Sequence, residues 1–163
     1  DSDLEVMSEA VKMLDEFKIP YEVIILSTHR APEETAKYAK FLKSRGFRIV
    51  IAGAGGAAGL PGIIAAYSPL PVIGVPIKTK LLDGVDSLYS IVSMPPGVPV
   101  ATVGINSAKN AAILAVEIIG VNDPKVVKKI EVYKENYRKE VLAKNNKLQK
   151  IGWQNYLKQK AQK

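Results

Sequence analysis

Four stretches constrain the fold more than anything else in the chain: "YEVIIL" (21–26), "FRIVIAG" (47–53), "PVIGVPI" (71–77) and "VPVATVG" (98–104). Each is an apolar run without polar alternation, the pattern of a strand buried on both faces. The residues between them carry the other period. Leu4, Met7, Val11 and Leu14 recur at helical spacing over residues 3–18, up to the break at "KIP". "APEETAKYAKFLKSRG" has proline in its first turn and glycine after its last, and "FRIVIAG" leads through the glycine-rich "AGAGGAAGLPG" into a short apolar helix ending at Tyr67. Further helices are predicted near 83–93 and over 107–119. Apolar strands alternating with helices predict an α/β chain, doubly wound, with a parallel sheet covered by helices on two sides.

At 163 residues and 47% hydrophobic content, the chain can bury one substantial core. The predicted division is an α/β domain over residues 1–121 and a basic helical extension over residues 122–163. The absence of cysteine excludes disulfides, thiolate nucleophiles and cysteine-built metal sites, and one histidine leaves little for a transition metal. No apolar run approaches the ~20 residues needed to span a bilayer, and "DSDLEV" lacks the basic and apolar regions of a signal peptide. The expectation is a soluble cytoplasmic protein that does not contact a membrane.

The net charge of +7 is a property of the extension, because residues 123–163 hold 12 Lys/Arg against 4 Asp/Glu. Val126, Ile130, Tyr133, Tyr137 and Val141 form one stripe there, with lysines elsewhere, so the stripe covers either its own sheet or a neighbouring subunit. The lysines read as a solvated outer face. Trp153, Tyr156 and Leu157 near the end are better suited to docking onto protein than to stacking on bases, which makes nucleic acid an unfavoured partner.

In an open parallel sheet, ligands bind beyond the carboxyl ends of the strands. Three stretches are predicted to converge there: "DSD" (1–3), "STHRAP" (27–32) and "GAGGAAG" (53–59). Helix N-termini welcome anions. Ser2, Ser27 and Arg30 are suitable phosphate partners, and Asp3 could hold a ribose hydroxyl or a ring amine. The glycine stretch lets backbone approach a ligand, but it is neither a nucleoside-triphosphate loop nor a dinucleotide fingerprint, and a tight strand-to-helix turn explains it equally well. His29 is the sole histidine; beside phosphate donors and without a serine or cysteine elbow it is suited to proton transfer, although a helix-capping turn is the plainer reading of the hexamer.

Read in order, "SDLEVM", "STHRAP", "IAGAGGAAGLPGIIAAYSPLPVIGVPI", "GVDSLYSIVSMPPGVPVATVG" and "NAAILA" resemble the 5-(carboxyamino)imidazole ribonucleotide mutase family, the catalytic subunit of the bacterial and archaeal carboxylation step of purine synthesis. The resemblance covers residues 2–119. It implies a flavodoxin-like three-layer sandwich that assembles into an octamer, and a rearrangement that uses neither metal nor organic cofactor. It also implies residue roles. His29, in the place of the histidine of the family's Ser-Ala-His-Arg-Thr-Pro motif, would make both proton transfers. Arg30 would contact phosphate, Asp3 would match the aspartate of the Gly-Ser-x-Ser-Asp loop, and Ser2, Ser27 and the stretch Gly53, Ala54, Gly55, Gly56, Ala57, Ala58, Gly59 and Leu60 would line the substrate.

The chain departs from the family pattern in four places. The family begins with an apolar strand ending in Gly-Ser, and the sequence opens at "DSD", so a further central strand is expected ahead of residue 1. Gly59 stands where the family has histidine, Ser93 where it has glutamine, and Thr28 and Ala31 replace the motif alanine and threonine. Two other readings stay open: direct carboxylation of aminoimidazole ribonucleotide by carbon dioxide, as in the animal-type branch, and a nucleotide-binding module whose chemistry has decayed. Arg30 and "AGAGGAAG" favour the mutase branch, since the animal type has lysine after the histidine.

Overall fold

The computed structural model describes residues 1–161, so the last two residues of the extension lie outside the described residues. The chain runs α1 (Leu4–Phe17), α2 (Pro32–Phe41), β1 (Val50–Gly55), α3 (Leu60–Tyr67), β2 (Val72–Ile77), α4 (Val85–Val92), β3 (Ala101–Thr102), α5 (Ala108–Gly120), α6 (Pro124–Ile151) and α7 (Trp153–Ala161). The three strands form one parallel sheet in the order β1-β2-β3. Val50 to Gly55 pair with Val72 to Ile77, and Ile73 and Gly74 pair with Ala101 and Thr102. Every residue of β2 is buried, as a central strand requires.

Helices cover both faces. On one side, Ala10, Met13 and Phe17 of α1 and Ala111, Ala112, Ala115 and Val116 of α5 enclose Ile73, Val75 and Ile77. On the other, Ala39 and Leu42 from the α2 segment and Ile64 of α3 pack with Ala52 and Val72, and Ile91 of α4 packs with Ala54 and Ala58. The expected three-layer sandwich with a parallel sheet and a C-terminal helical part is therefore the architecture found.

The expected strand over 21–26 is not formed. Residues 21–26 run without a ladder partner, and Tyr21, Val23, Ile24 and Ile25 are exposed. The physical reason is that a strand is a relation between two segments. A groove of about 870 Å³, lined by Leu4, Met7, Ile24, Ile49 and Ile51 among others, adjoins both this segment and β1. Apolar character alone cannot supply the missing hydrogen bonds. What fastens the segment is polar: Arg45 bonds Glu22 through both terminal nitrogens, Tyr38 donates to the same carboxylate at 3.2 Å, and the guanidinium stacks 5.0 Å from the Phe47 ring.

Two other strands are shifted or shortened. β1 starts at Val50 rather than Phe47, because the Phe47 amide is used to close the end of the α2 segment on the Leu42 carbonyl. At its other end β1 runs on into Ala54 and Gly55, which pair with Pro76 and Ile77, so part of the glycine stretch is strand. β3 keeps only Ala101–Thr102 of the expected 98–104.

From Pro124 the extension is the helix α6, which breaks at Gly152, where φ is 74°, and the chain continues as α7. Asp123 caps α6 by accepting from the amides of Lys125 and Val126. The stripe divides. Val126 and Ile130 are buried in the main core, and Tyr133 stacks on Phe17 with centroids 5.2 Å apart, so the first half covers its own domain. Lys129 Nζ donates to the Phe17 carbonyl at 2.5 Å, a cation at the C-terminal end of α1. Tyr137, Val141, Leu142, Trp153 and Leu157 stay exposed.

Candidate active site

The turn that carries His29 is built locally. The Ala31 amide donates to the Ser27 carbonyl at 2.8 Å, closing residues 27–31, and Pro32 then starts α2 with a fixed φ. Thr35 secures the junction by donating its hydroxyl to the Ala31 carbonyl at 2.8 Å. His29 and Arg30 are exposed, and Ser27 and Thr28 are half-buried. Arg30 Nε donates to Ser27 Oγ at 3.3 Å, which holds a guanidinium and a hydroxyl side by side as two anion donors.

The glycine stretch supplies the facing wall. Ala58 N–H donates to the Gly55 carbonyl at 3.2 Å, closing a tight turn in which Gly56 has φ +66°, and Ala58, the residue leaving it, has φ +36°. Glycine adopts the first freely, whereas the second stores strain in a buried alanine, of the order of ~1 kcal/mol. Gly59 is different: its φ is −74° and its ψ −13°, ordinary helical values at the start of α3. A Cβ placed there would stand 3.3 Å from Thr28 Oγ1 and 3.6 Å from His29 Nε2. Loop and imidazole are thus in direct apposition.

Between them lies a cavity of about 500 Å³ whose lining includes Thr28, His29, Ala58, Gly59, Ser90 and Met94. His29, Ala58 and Gly59 are the sequence candidates that meet there. The others are distributed. Asp3, Gly53 and Leu60 line the separate 870 Å³ groove. Leu60 also packs into the core beside Ala52 and Ile64, and Gly53 lets Met7 close on β1, since a Cβ would stand 2.5 Å from Met7 Sδ. Ala54 is buried against Ile91. Gly55 and Ala57 are exposed, Gly56 is half-buried, and Ser27 and Arg30 stand beside His29 in their turn. Ser2 and Asp3 bond one another at 2.9 Å and make no bond to Arg30; Asp3 heads α1 without spending its carboxylate on that helix's amides.

Three contributors were missed in the sequence. Ser90 and Met94 line the His29 cavity, and Ser87 holds the loop from behind, donating to the Ile77 carbonyl at 2.7 Å and accepting from the Gly56 amide at 2.9 Å. The available signal was a serine at a core-facing position of a short helix: Ser87 is a turn from Ile91, and both are buried.

Among the described residues, no group of three or more His, Asp or Glu side chains is placed to hold a metal ion, and no helix is long and apolar enough to cross a membrane. The chemistry on offer is a lone imidazole and an arginine in one turn, facing the backbone of the glycine loop that leaves β1. That equipment defines the class: an α/β protein with a crevice between a histidine turn and a glycine loop. The AIR carboxylase family profile matches residues 1–140, and the chain belongs to that family. It is 55% identical over 160 residues to the N5-carboxyaminoimidazole ribonucleotide mutase of Thermotoga maritima, covering 98% of this chain and 94% of that one. It is 56% identical over 156 residues to the phosphoribosylaminoimidazole carboxylase of Schizosaccharomyces pombe, covering 96% of this chain but 28% of that larger protein. A crystal structure of Treponema denticola PurE superposes with a TM-score of 0.84 at 26% identity, covering 91% of this chain and 92% of that one.

Proposed function

We propose that the chain is a purine-biosynthesis isomerase that converts 5-(carboxyamino)imidazole ribonucleotide to 5-amino-1-(5-phosphoribosyl)imidazole-4-carboxylate. The observation that carries this reading is the 55% identity to a named mutase across nearly the full length of both chains. The site chemistry fits it. His29 donates a proton to the carbamate nitrogen as the nitrogen–carbon bond breaks and carbon dioxide leaves. Ring carbon 4 then attacks the retained carbon dioxide, and the imidazole takes back the proton which that carbon loses. Protons and electrons balance over the cycle, so no cofactor is called for. Arg30 and Ser27 are the phosphate donors, the backbone of residues 54–58 lines the ring, and the facing loop and turn retain carbon dioxide between the half-reactions.

The similarity to a named carboxylase supports direct carboxylation as the second reading, since both reactions share the step at carbon 4. One experiment separates them. The purified chain is given the carbamate substrate in labelled bicarbonate, with no ATP or metal added. The mutase reading expects turnover without label in the product, and His29→Asn expects loss of turnover with ligand affinity retained. Labelled product at full incorporation would establish the carboxylase instead, and a His29→Asn protein at the wild-type rate would end the proton-shuttle role.

Self-association belongs to the same proposal. The exposed Val141, Leu142, Trp153 and Leu157 of α6 and α7 give a homo-octamer an apolar surface to use.

A further inference from the structure

We infer that Ser87 and Ser90 of α4 are positioning residues that fix the two peptide groups flanking Gly56, and through them the way the glycine loop meets a phosphoribosyl ligand. This rests on the reading of that loop as substrate-binding. The last paired residues of β1 and β2 are Gly55 and Ile77. One position further, the strands are no longer bonded directly to each other: the Ser87 hydroxyl stands between them, donating to the Ile77 carbonyl at 2.7 Å and accepting from the Gly56 amide at 2.9 Å. A hydroxyl has one proton, a carbonyl only accepts and an amide only donates, so this arrangement has a single polarity. Ser87 is fully buried.

One turn along α4, Ser90 Oγ donates to the Gly56 carbonyl at 3.3 Å from the side that lines the His29 cavity. Donor and acceptor of the same residue are thereby fixed by two hydroxyls of one helix. That helix is itself anchored to the end of β2, because Thr79 donates to the two carboxylate oxygens of Asp86 at 3.0 and 3.2 Å. Gly56, at φ +66°, is where the backbone turns out of the sheet and toward the cavity. Its N–H and C=O belong to the two peptide groups on either side of it, so holding both fixes the φ and ψ between them and thereby where the amides of residues 57–59 point. The serine pair takes no part in proton transfer; it preorganises the wall that faces His29.

The test combines amide hydrogen exchange with steady-state kinetics on the full chain. Ser87→Ala is expected to speed exchange at Gly56 by tenfold or more relative to the amides of β1, and to lower kcat/KM by about tenfold to a hundredfold, the range that removing the partner of a half-buried donor supports. Ser87→Thr, which restores the hydroxyl, should recover most of both. Ser68→Ala removes a buried serine that only closes a turn on the Leu70 amide; it should lower the melting temperature and leave KM unchanged. Unaltered exchange at Gly56 in Ser87→Ala, or a Ser68→Ala protein with the same kinetic defect, would overturn the inference. If Ser87→Ala does not fold, exposed Ser90 serves instead: Ser90→Ala should reduce kcat/KM about threefold to tenfold at full stability, and wild-type kinetics would refute its role. If wild type lacks turnover while Ser87→Ala still frees the Gly56 amide and weakens binding of aminoimidazole ribonucleotide, the isomerase reading falls and the positioning role stands.

Discussion

Gly59 faces the imidazole turn, with a built Cβ 3.6 Å from His29 Nε2, and its geometry allows a quantitative prediction. With φ at −74° and ψ at −13°, the backbone there suits any L-residue. Replacing glycine by alanine at such a site stabilises by about 0.4–1 kcal/mol, because the unfolded chain loses conformational freedom. Against that stands one tight contact, the 3.3 Å approach of the new Cβ to Thr28 Oγ1, which a shift of a few tenths of an ångström relieves at a cost of roughly a few tenths of a kcal/mol. The expected sum for Gly59→Ala is neutral to ~0.7 kcal/mol stabilising, read as the midpoint shift in urea unfolding at constant m. Gly59→His carries the same backbone term and directs its ring into the 500 Å³ cavity beside His29. It should fold, and its isomerase rate should equal or exceed wild type. A loss above ~1 kcal/mol in either variant would show that Thr28 cannot give way and that the loop needs glycine there. A wild type without turnover that gains it only as Gly59→His would mark the natural chain as a binding module.

Arg30→Ala should weaken binding of the phosphorylated ligand by ~1.5–3 kcal/mol, the loss of a charge-assisted contact, with lysine restoring only part of it; calorimetric titration is the check. Ile130→Ala should cost ~2–4 kcal/mol of stability, because this extension residue is buried in the main core; equality with wild type in denaturant unfolding would return the whole stripe to a partner surface. Arg45, with help from Tyr38, holds the Glu22 carboxyl below the usual carboxylate range. The folded-state value is thus the lower one, so the stability Glu22 contributes is present above its unfolded value and is lost as pH falls through the folded value. Glu22→Gln should therefore flatten the acid limb of the stability profile and leave the neutral plateau lowered, and identical acid limbs would refute the pairing.

Much of this molecule is local physics, and local physics is legible in a sequence. The helical periods of α1, α2 and α5, the proline starts of α2 and α6, the apolar run of β2 and the turn glycines depend on residues a few positions apart, so the pattern "STHRAP" marks the imidazole turn before any coordinates exist. Other features are decided at a distance. Whether "YEVIIL" is a strand depends on what lies beside it, and across the groove from β1 it has no ladder partner. Ser87 resembles an indifferent helix residue until two strand ends stand on either side of its hydroxyl. Val126 and Val141 occupy the same stripe of one helix, yet one is core and the other surface, because α5 follows α6 as far as Tyr137, where Lys109 meets the ring hydroxyl, and Val141 lies a turn beyond. Periodicity states which face of an element is apolar; tertiary packing alone decides what that face meets, since burial belongs to pairs of surfaces and each surface is encoded separately.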